Sequence, residues 1–353
     1  MTRNSGLLGL GSAARSPPLT KHSFTTLMRR LARAGFKKEF VRPALLPDWW
    51  DDSCSQDSNL LPDVEIRVAR FLGLPLSMVK DPEASLAAPA YPRAQLRRVR
   101  DIDRDRLGPA IHSALKIAGA VVRNLRSAGT SSLAPPPEGL AWRERISRTR
   151  SAVTLDDILS DVWNRGIAVI PLSAMPAPTF QGLACIVEGK PVILLGHKND
   201  EPGRVAFIVA HEVGHIAAGD CTPEQPVVDE EDEVIDNDDM EKRADQFATR
   251  VLVGGDTVPA IDGGDFRSLA KRASEQEKAT GADASNIIFA WARRTGDYTK
   301  ATMAVKALYR ASGARQKLSL HFDRNVDLTD ASDTDRTLLR CVQGQHSDDA
   351  TSD

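Results

Sequence analysis

Residues 204–215 read Arg204-Val205-Ala206-Phe207-Ile208-Val209-Ala210-His211-Glu212-Val213-Gly214-His215. An apolar run that ends in two histidines four apart predicts a helix over Val205–Ala218, stopped by Gly219. On a helix, positions i and i+4 lie on one face about one turn apart. Both imidazoles therefore reach a single Zn²⁺, at nitrogen–metal distances of about 2.0–2.1 Å. Glu212, next to the first histidine, is placed to take a proton from an attacking water. Peptide carbonyls are poor electrophiles and water is a poor nucleophile at neutral pH, and a zinc ion improves both partners at once. The plainer alternative is two histidines and a glutamate on an ordinary helix face.

A catalytic zinc site takes a third protein ligand and keeps one position open. Downstream, Glu241-Lys242-Arg243-Ala244-Asp245-Gln246-Phe247-Ala248 predicts a second helix, about Met240 to Leu252, ended by Gly254-Gly255. Glu241 and Asp245 share a face at i, i+4. Glu241 is the expected third ligand, and Asp245 the acceptor for the second ring N–H of a ligand histidine. Acidic residues also favour helix N-termini on electrostatic grounds alone. The small Ala244 with Phe247 and Ala248 beside it favours a helix packed closely on another. Between the two helices lies an acidic run (Asp229 to Asp239). Its spacing does not fit an EF-hand, because no glycine holds the central turn position, so a solvated loop is expected.

Composition narrows the remaining choices. The chain has 353 residues, and 46 Lys plus Arg against 48 Asp plus Glu leave a formal charge of −2. That balance argues against coating nucleic acid by bulk electrostatics. With 41% hydrophobic and 27% charged residues, the chain has enough apolar surface for a sizeable core. No apolar run approaches the roughly 20 residues of a membrane-spanning helix, and Leu7-Leu8-Gly9-Leu10 is too short for a signal peptide's apolar region. Cys54, Cys185, Cys221 and Cys341 lie far apart without a Cys-x-x-Cys pair, and read as ordinary thiols of a cytoplasmic protein.

The expected organisation is α+β: mostly helical, with a small β-sheet packed on the histidine-bearing helix. Residues 1–20 read as disordered. Residues 21–95 read as a helical, helix-turn-helix-like domain, in which Val64–Leu72, Gly73 and Leu74–Val79 form the turn unit. Residues 96–150 read as a helical connector and Pro-rich linker, with helix from about Ala94 to Ser127 interrupted at Gly108-Pro109. The domain over 151–316 carries the two active helices, a strand at Gly166–Ile170, and a hairpin of Leu183–Val187 and Val192–Leu195 around Glu188-Gly189-Lys190. Helices are also expected over Phe266–Lys278 and Ala284–Arg294. Residues 317–353 lose periodicity and read as a polar tail.

Several of these pieces together resemble the ImmA/IrrE family of zinc metallopeptidases, a gluzincin-like group. They are Gly166-Ile167-Ala168-Val169, Gly182, Pro191-Val192-Ile193-Leu194, the stretch from Arg204 through His215, and Glu241…Ala244-Asp245…Phe247-Ala248. They occur in the family's order and cover about a quarter of the chain. The resemblance implies a zincin-like domain with His211, His215 and Glu241 as metal ligands and Glu212 as general base. It also implies a protein substrate, typically a helix-turn-helix repressor, and a DNA-binding region in many members. One departure stands out: Val251-Leu252-Val253 runs into Gly254-Gly255, where the family commonly has an apolar-Pro ending.

DNA contact is accordingly an expectation for residues 21–95, with Arg93, Arg97, Arg98 and Arg100 as a local basic cluster. For the oxyanion of amide hydrolysis, the candidate donors are His197, Arg204 and Tyr298. The strand Val192–Leu195 is expected at a sheet edge, where an extended substrate adds as a strand. Cys221 reads as an unactivated thiol. The leading expectation is a zinc-dependent endopeptidase acting on a regulatory protein. The alternative is a DNA- or protein-binding regulator whose metallopeptidase-like domain performs no proteolysis.

Overall fold

A computed structural model describes residues 22–89, 95–97, 104–126, 134–147, 152–177, 180–196, 200–222, 226–229, 239–257, 261, 264–308 and 313–342. Among these residues the first elements are α1 (Phe24–Arg33), α2 (Lys38–Leu45), a short 3-10 turn (Ser53–Gln56), α3 (Leu61–Leu72) and α4 (Leu76–Lys80). There follow β1 (Gln95–Arg97), α5 (Arg104–Arg123), α6 (Gly139–Ile146), α7 (Leu155–Asn164), β2 (Ala168–Pro171), β3 (Gly182–Val187) and β4 (Lys190–Leu195). Next come α8 (Pro202–Ala218), β5 (Val227–Asp229), α9 (Asp239–Val253), α10 (Phe266–Thr280), α11 (Ala284–Thr295) and α12 (Tyr298–Leu308). The last two elements are α13 (Ala314–Asn325) and α14 (Asp333–Leu339). The architecture is α+β and mostly helical, as the periodicity predicts. No helix among the described residues is long and apolar enough to cross a membrane.

The five strands form one mixed sheet in the order β1-β5-β3-β4-β2. Strands β3 and β4 pair antiparallel, with Gly182 opposite Leu195 and Val187 opposite Lys190. Their turn is the two residues Glu188 (φ 50°) and Gly189 (φ 75°). Two successive left-handed residues are the backbone a tight hairpin requires. Strand β2 runs parallel to β4 on its other side. The expectation that Val192–Leu195 is a free edge is therefore wrong: β4 is hydrogen-bonded on both sides. The edge positions go to β1 and β2, and β4 has no free edge for an extended substrate to add to.

Helix α8 packs on β3 and β4 and against α7, α9 and α11. Pro202 starts it, where a missing N–H costs nothing. Gly219 ends it in the left-handed conformation, and the amides of Gly219 and Asp220 return to the carbonyls of Ile216 (3.2 Å) and His215 (3.0 Å). That paired closure is the Schellman motif.

Further expectations are corrected. Residues 95–97 are strand, and α5 runs through Gly108-Pro109 without a break. Pro109 lies so near the helix start that its ring removes only a bond to the first turn, and it packs against Gly35. Nor is 96–150 a connector. Leu107, Ala110, Ile111, Ala114, Ile117, Ala118 and Val121 of α5 are all buried, and α5 packs on β2, β3 and β4.

The helices of 21–95 are not a separate unit either. His112 of α5 donates from Nε2 to the Phe71 carbonyl (2.7 Å), Phe36 and Phe71 stack edge-on with its ring, and α14 packs on α2. Within them α4 is five residues, about 7 Å of helix, and the Arg30 guanidinium donates to the carbonyls of Met78 and Val79 at its end (2.7 and 2.6 Å). The expected pair, a helix ending at Gly73 and a short helix after it, is present as α3 and α4.

Finally, 317–342 is no tail. Leu318 and Phe322 bury one face of α13, and Leu338, Leu339, Cys341 and Val342 close the core. Ser173 donates its amide to the Cys341 carbonyl (2.6 Å). Its apolar residues lie between charged and polar ones without an unbroken helical stripe, and Leu320 of α13 is exposed, so the stretch reads as polar. Residues 1–20, the basic positions Arg93, Arg98 and Arg100, and residues 343–353 lie outside the described residues.

Candidate metal centre

The two histidines stand one turn apart on α8, and Glu241 enters from the first turn of α9. The approach of the helices is set by small residues. A Cβ on Gly214 would lie 3.1 Å from the Ala244 Cα and 3.3 Å from the Phe247 Cβ. Glycine facing alanine thus brings the two backbones close enough for a carboxylate on one helix to meet imidazoles on the other.

His211 Nε2 and His215 Nε2 are 3.0 Å apart. Glu241 places Oε2 3.4 Å from the first and Oε1 3.4 Å from the second. Ligands about 2.05 Å from a tetrahedral ion are about 3.3 Å from one another, so the three edges suit a single metal ion. All three side chains are buried, and among the described residues they form the one group of this kind.

The hydrogen bonds argue the same way. His211 Nδ1 faces Asp245 Oδ1 at 2.9 Å, and His215 Nδ1 faces Asp220 Oδ2 at 3.0 Å. Carboxylates are acceptors only, so each ring carries its proton on Nδ1 and turns an Nε2 lone pair into the group. Two lone pairs 3.0 Å apart beside a buried carboxylate repel one another. Both oxygens of Glu241 are buried and accept no hydrogen bond from a described residue. A cation among them removes that repulsion and satisfies the carboxylate. The residues fit a metal ion.

Asp245 stands where the sequence reading expects it. Asp220 does not figure in that reading, because it lies outside both helices; it reaches His215 only through the closure at Gly219. The pattern that carries it is His215-x₃-Gly219-Asp220. Asp220 also lies 3.5 Å from Arg243 Nη2.

Glu212 is fully buried on α8 and does not belong to the three-residue group. Its carboxylate lies against β3 at Gly182, where any Cβ would fall well inside contact distance of Oε1 and 2.9 Å from Cδ. A missing side chain at 182 is thus what makes room for the glutamate. The thiols of Cys185 and Cys221 are pushed well above the ordinary range, first by burial and then by the Glu212 charge. Cys221 is accordingly an inert thiol, the character expected for it.

Of the oxyanion candidates, His197 lies outside the described residues, as does most of the acidic run Asp229 to Asp239. The Arg204 guanidinium stacks over the Tyr298 ring, 5.0 Å from its centroid. Arg204 is seven residues before His211, about 10 Å along the axis. A cation closer in was not foreseen. Arg293 of α11 lies 3.3 Å over the Phe207 ring, whose centroid is 6.0 Å from that of His211. No family model and no curated protein matches this sequence.

Proposed function

We propose that this chain is a zinc-dependent endopeptidase of the ImmA/IrrE kind that cleaves a repressor-type regulatory protein. The observation that supports this most is one buried set: two Nε2 lone pairs and a carboxylate at metal-ligand spacing, with a second buried carboxylate, Glu212, beside the first histidine. Two imidazoles and one carboxylate are the donor set of catalytic zinc sites that keep a fourth position open. A Zn²⁺ ion held by His211, His215 and Glu241 would supply Lewis acidity to a peptide carbonyl and make water easier to deprotonate near neutral pH.

The protein's own residues do the rest. Asp245 and Asp220 hold the protons of His211 and His215 on Nδ1, which keeps both Nε2 atoms available. A Glu212 carboxylate oxygen takes the proton of the attacking water and delivers it to the leaving amine nitrogen. Burial of Glu212 against Gly182 fixes where that oxygen stands. The Arg293 guanidinium places a positive charge over the ring of Phe207, which neighbours His211.

The test uses the full chain and a helix-turn-helix repressor as candidate substrate. Glu241→Ala and His211→Ala are expected to lose one equivalent of bound zinc. Glu212→Gln is expected to keep the zinc and lose cleavage. Cleavage by Glu212→Gln at the wild-type rate overturns the mechanism. Stoichiometric zinc with no cleavage of that repressor, together with a salt-dependent shift of duplex DNA, favours a non-proteolytic regulator instead.

A further inference from the structure

Away from the metal group, a cavity of about 300 Å³ opens between α2, α3, α5, α14 and the Glu188-Gly189 turn. It is separate from the candidate metal centre. Strand β3 touches Glu212 with its first residue, Gly182, and lines the cavity with its last, Val187. Five residue steps of strand span about 17 Å.

Four cations line this cavity: Arg67, Arg70, Lys116 and Arg123. Two are held in place. Arg67 donates from Nε to Asp63 (2.9 Å) and from Nη2 to Asp333 (2.5 Å). Arg123 donates to Asp335 (2.6 Å) and lies 3.4 Å from Glu188, the sole acidic residue in the lining. Arg70 and Lys116 are different, since neither makes an ion pair with a described residue. Lys116 is half-buried, and its ammonium is held below its ordinary range by burial and then by the charge of Arg123.

The remaining wall is mostly apolar, formed by Leu45, Phe71, Leu115, Val187 and Leu338, with Thr334 and Thr337 beside them. Gly119 keeps it open, because a Cβ there would lie 3.2 Å from Arg123 Nη1. Two cations without a carboxylate partner among the described residues, Arg70 at the rim and Lys116 deeper in, beside a mostly apolar wall in a partly open cavity match a ligand that is anionic at one end and flat or apolar at the other.

We infer that this cavity binds a phosphate-bearing small molecule with an aromatic body, the chemistry of a mononucleotide. The phosphate meets Lys116 and Arg70, and the ring lies along the apolar wall that Leu115 and the edge of Phe71 form. The inference does not depend on proteolysis. Calorimetric titration of the full chain with AMP, inorganic phosphate and decanoate tests it, with thermal unfolding as a check on each variant.

AMP is expected to bind one site, more tightly than phosphate alone, with affinity that falls as salt rises. Lys116→Gln and Arg70→Gln are each expected to weaken AMP by tenfold or more while melting as the wild type does. Glu241→Ala is expected to leave AMP affinity unchanged, which separates this site from the metal centre. No heat with AMP at millimolar concentration overturns the inference. So does AMP affinity that ignores both substitutions, or decanoate binding in place of AMP. Should Lys116→Gln fail to fold, Arg70→Gln, at an exposed position, supports or overturns the inference by itself.

Discussion

Asp220→Ala isolates the contribution of a residue that never touches the metal. In the native fold Asp220 Oδ2 accepts the Nδ1 proton of His215 at 3.0 Å, and the imidazole is fully buried. Removing the acceptor lets that proton occupy Nε2, the atom that must face the ion, so binding must first move the proton back. Loss of such a partner weakens metal affinity about 10- to 100-fold, equivalent to about 1.4–2.8 kcal/mol.

Burial orders the two carboxylates. Asp220 is 9% exposed and Asp245 is 39% exposed, so water screens the His211 pair more than the His215 pair. Asp220→Ala is therefore expected near the upper end of that range and Asp245→Ala near the lower. Asp220→Asn, which keeps an acceptor oxygen, falls between Asp220→Ala and the wild type. Arg243 does not confuse the reading: its guanidinium is 58% exposed and rehydrates when Asp220 goes. The assay is competition with a chromophoric zinc chelator at fixed pH, with circular dichroism to confirm folding. A dissociation constant for Asp220→Ala within twofold of wild type refutes the tautomer argument, and a larger loss at Asp245 refutes the ordering.

Three further outcomes follow from other contacts. Gly182→Ala drives a methyl into the Glu212 carboxylate. A displacement of about 1 Å there costs about 100-fold in turnover, while zinc affinity holds; undiminished cleavage of a repressor would count against Glu212 as the base. Gly214→Ala crowds Ala244 and Phe247, so it lowers the melting temperature despite alanine's better helix propensity, and a higher melting temperature would sink the close-approach argument. His112 is held down to about 4 from 6.5, first by burial. Between those pH values the unfolded chain takes up a proton that the fold refuses, so stability falls as pH drops from 6.5 towards 4, by about 3 kcal/mol in all. Denaturant unfolding of metal-free protein should show that slope, and His112→Gln should flatten it; an unchanged slope places the titration elsewhere.

The metal group was legible because it is written in helical spacing. His211 and His215 are one turn apart, and Glu241 and Asp245 are one turn apart. Helical spacing depends only on the local chain, so a sequence displays it directly. Asp220 was not legible, since it becomes a partner of His215 only after Gly219 reverses the chain. Gly182 was visible as a residue of the resembling pattern, but its role is the side chain it lacks, which only the position of Glu212 reveals. The strand order was hidden for another reason. Strands of three to six residues carry too little alternation to declare neighbours, and the all-apolar Val192–Leu195 suits a central strand as well as the edge expected for it. Pro109 misled because proline is disruptive in a helix interior and tolerated near its start, and nothing local announces that α5 begins at Arg104.

The site is therefore a property of packing as much as of ligand types. Three side chains bring donor atoms pairwise to 3.0–3.4 Å, with one Glu241 oxygen beside each imidazole, because two helices approach at Gly214 and Ala244, one residue before His215 and three residues after Glu241. Helix axes usually stand 8–10 Å apart according to the side chains between them, so a bulky pair at those positions would hold Glu241 away from the imidazoles with every ligand residue still present. The same helix must also present Glu212 to the sheet, and it does so where β3 has a glycine. One helix thus carries two imidazoles towards α9 and a carboxylate towards β3, and each face meets a residue small enough to admit it. A chain that kept His211, Glu212, His215 and Glu241 but lost Gly182, Gly214 and Ala244 would retain the motif and lose the centre.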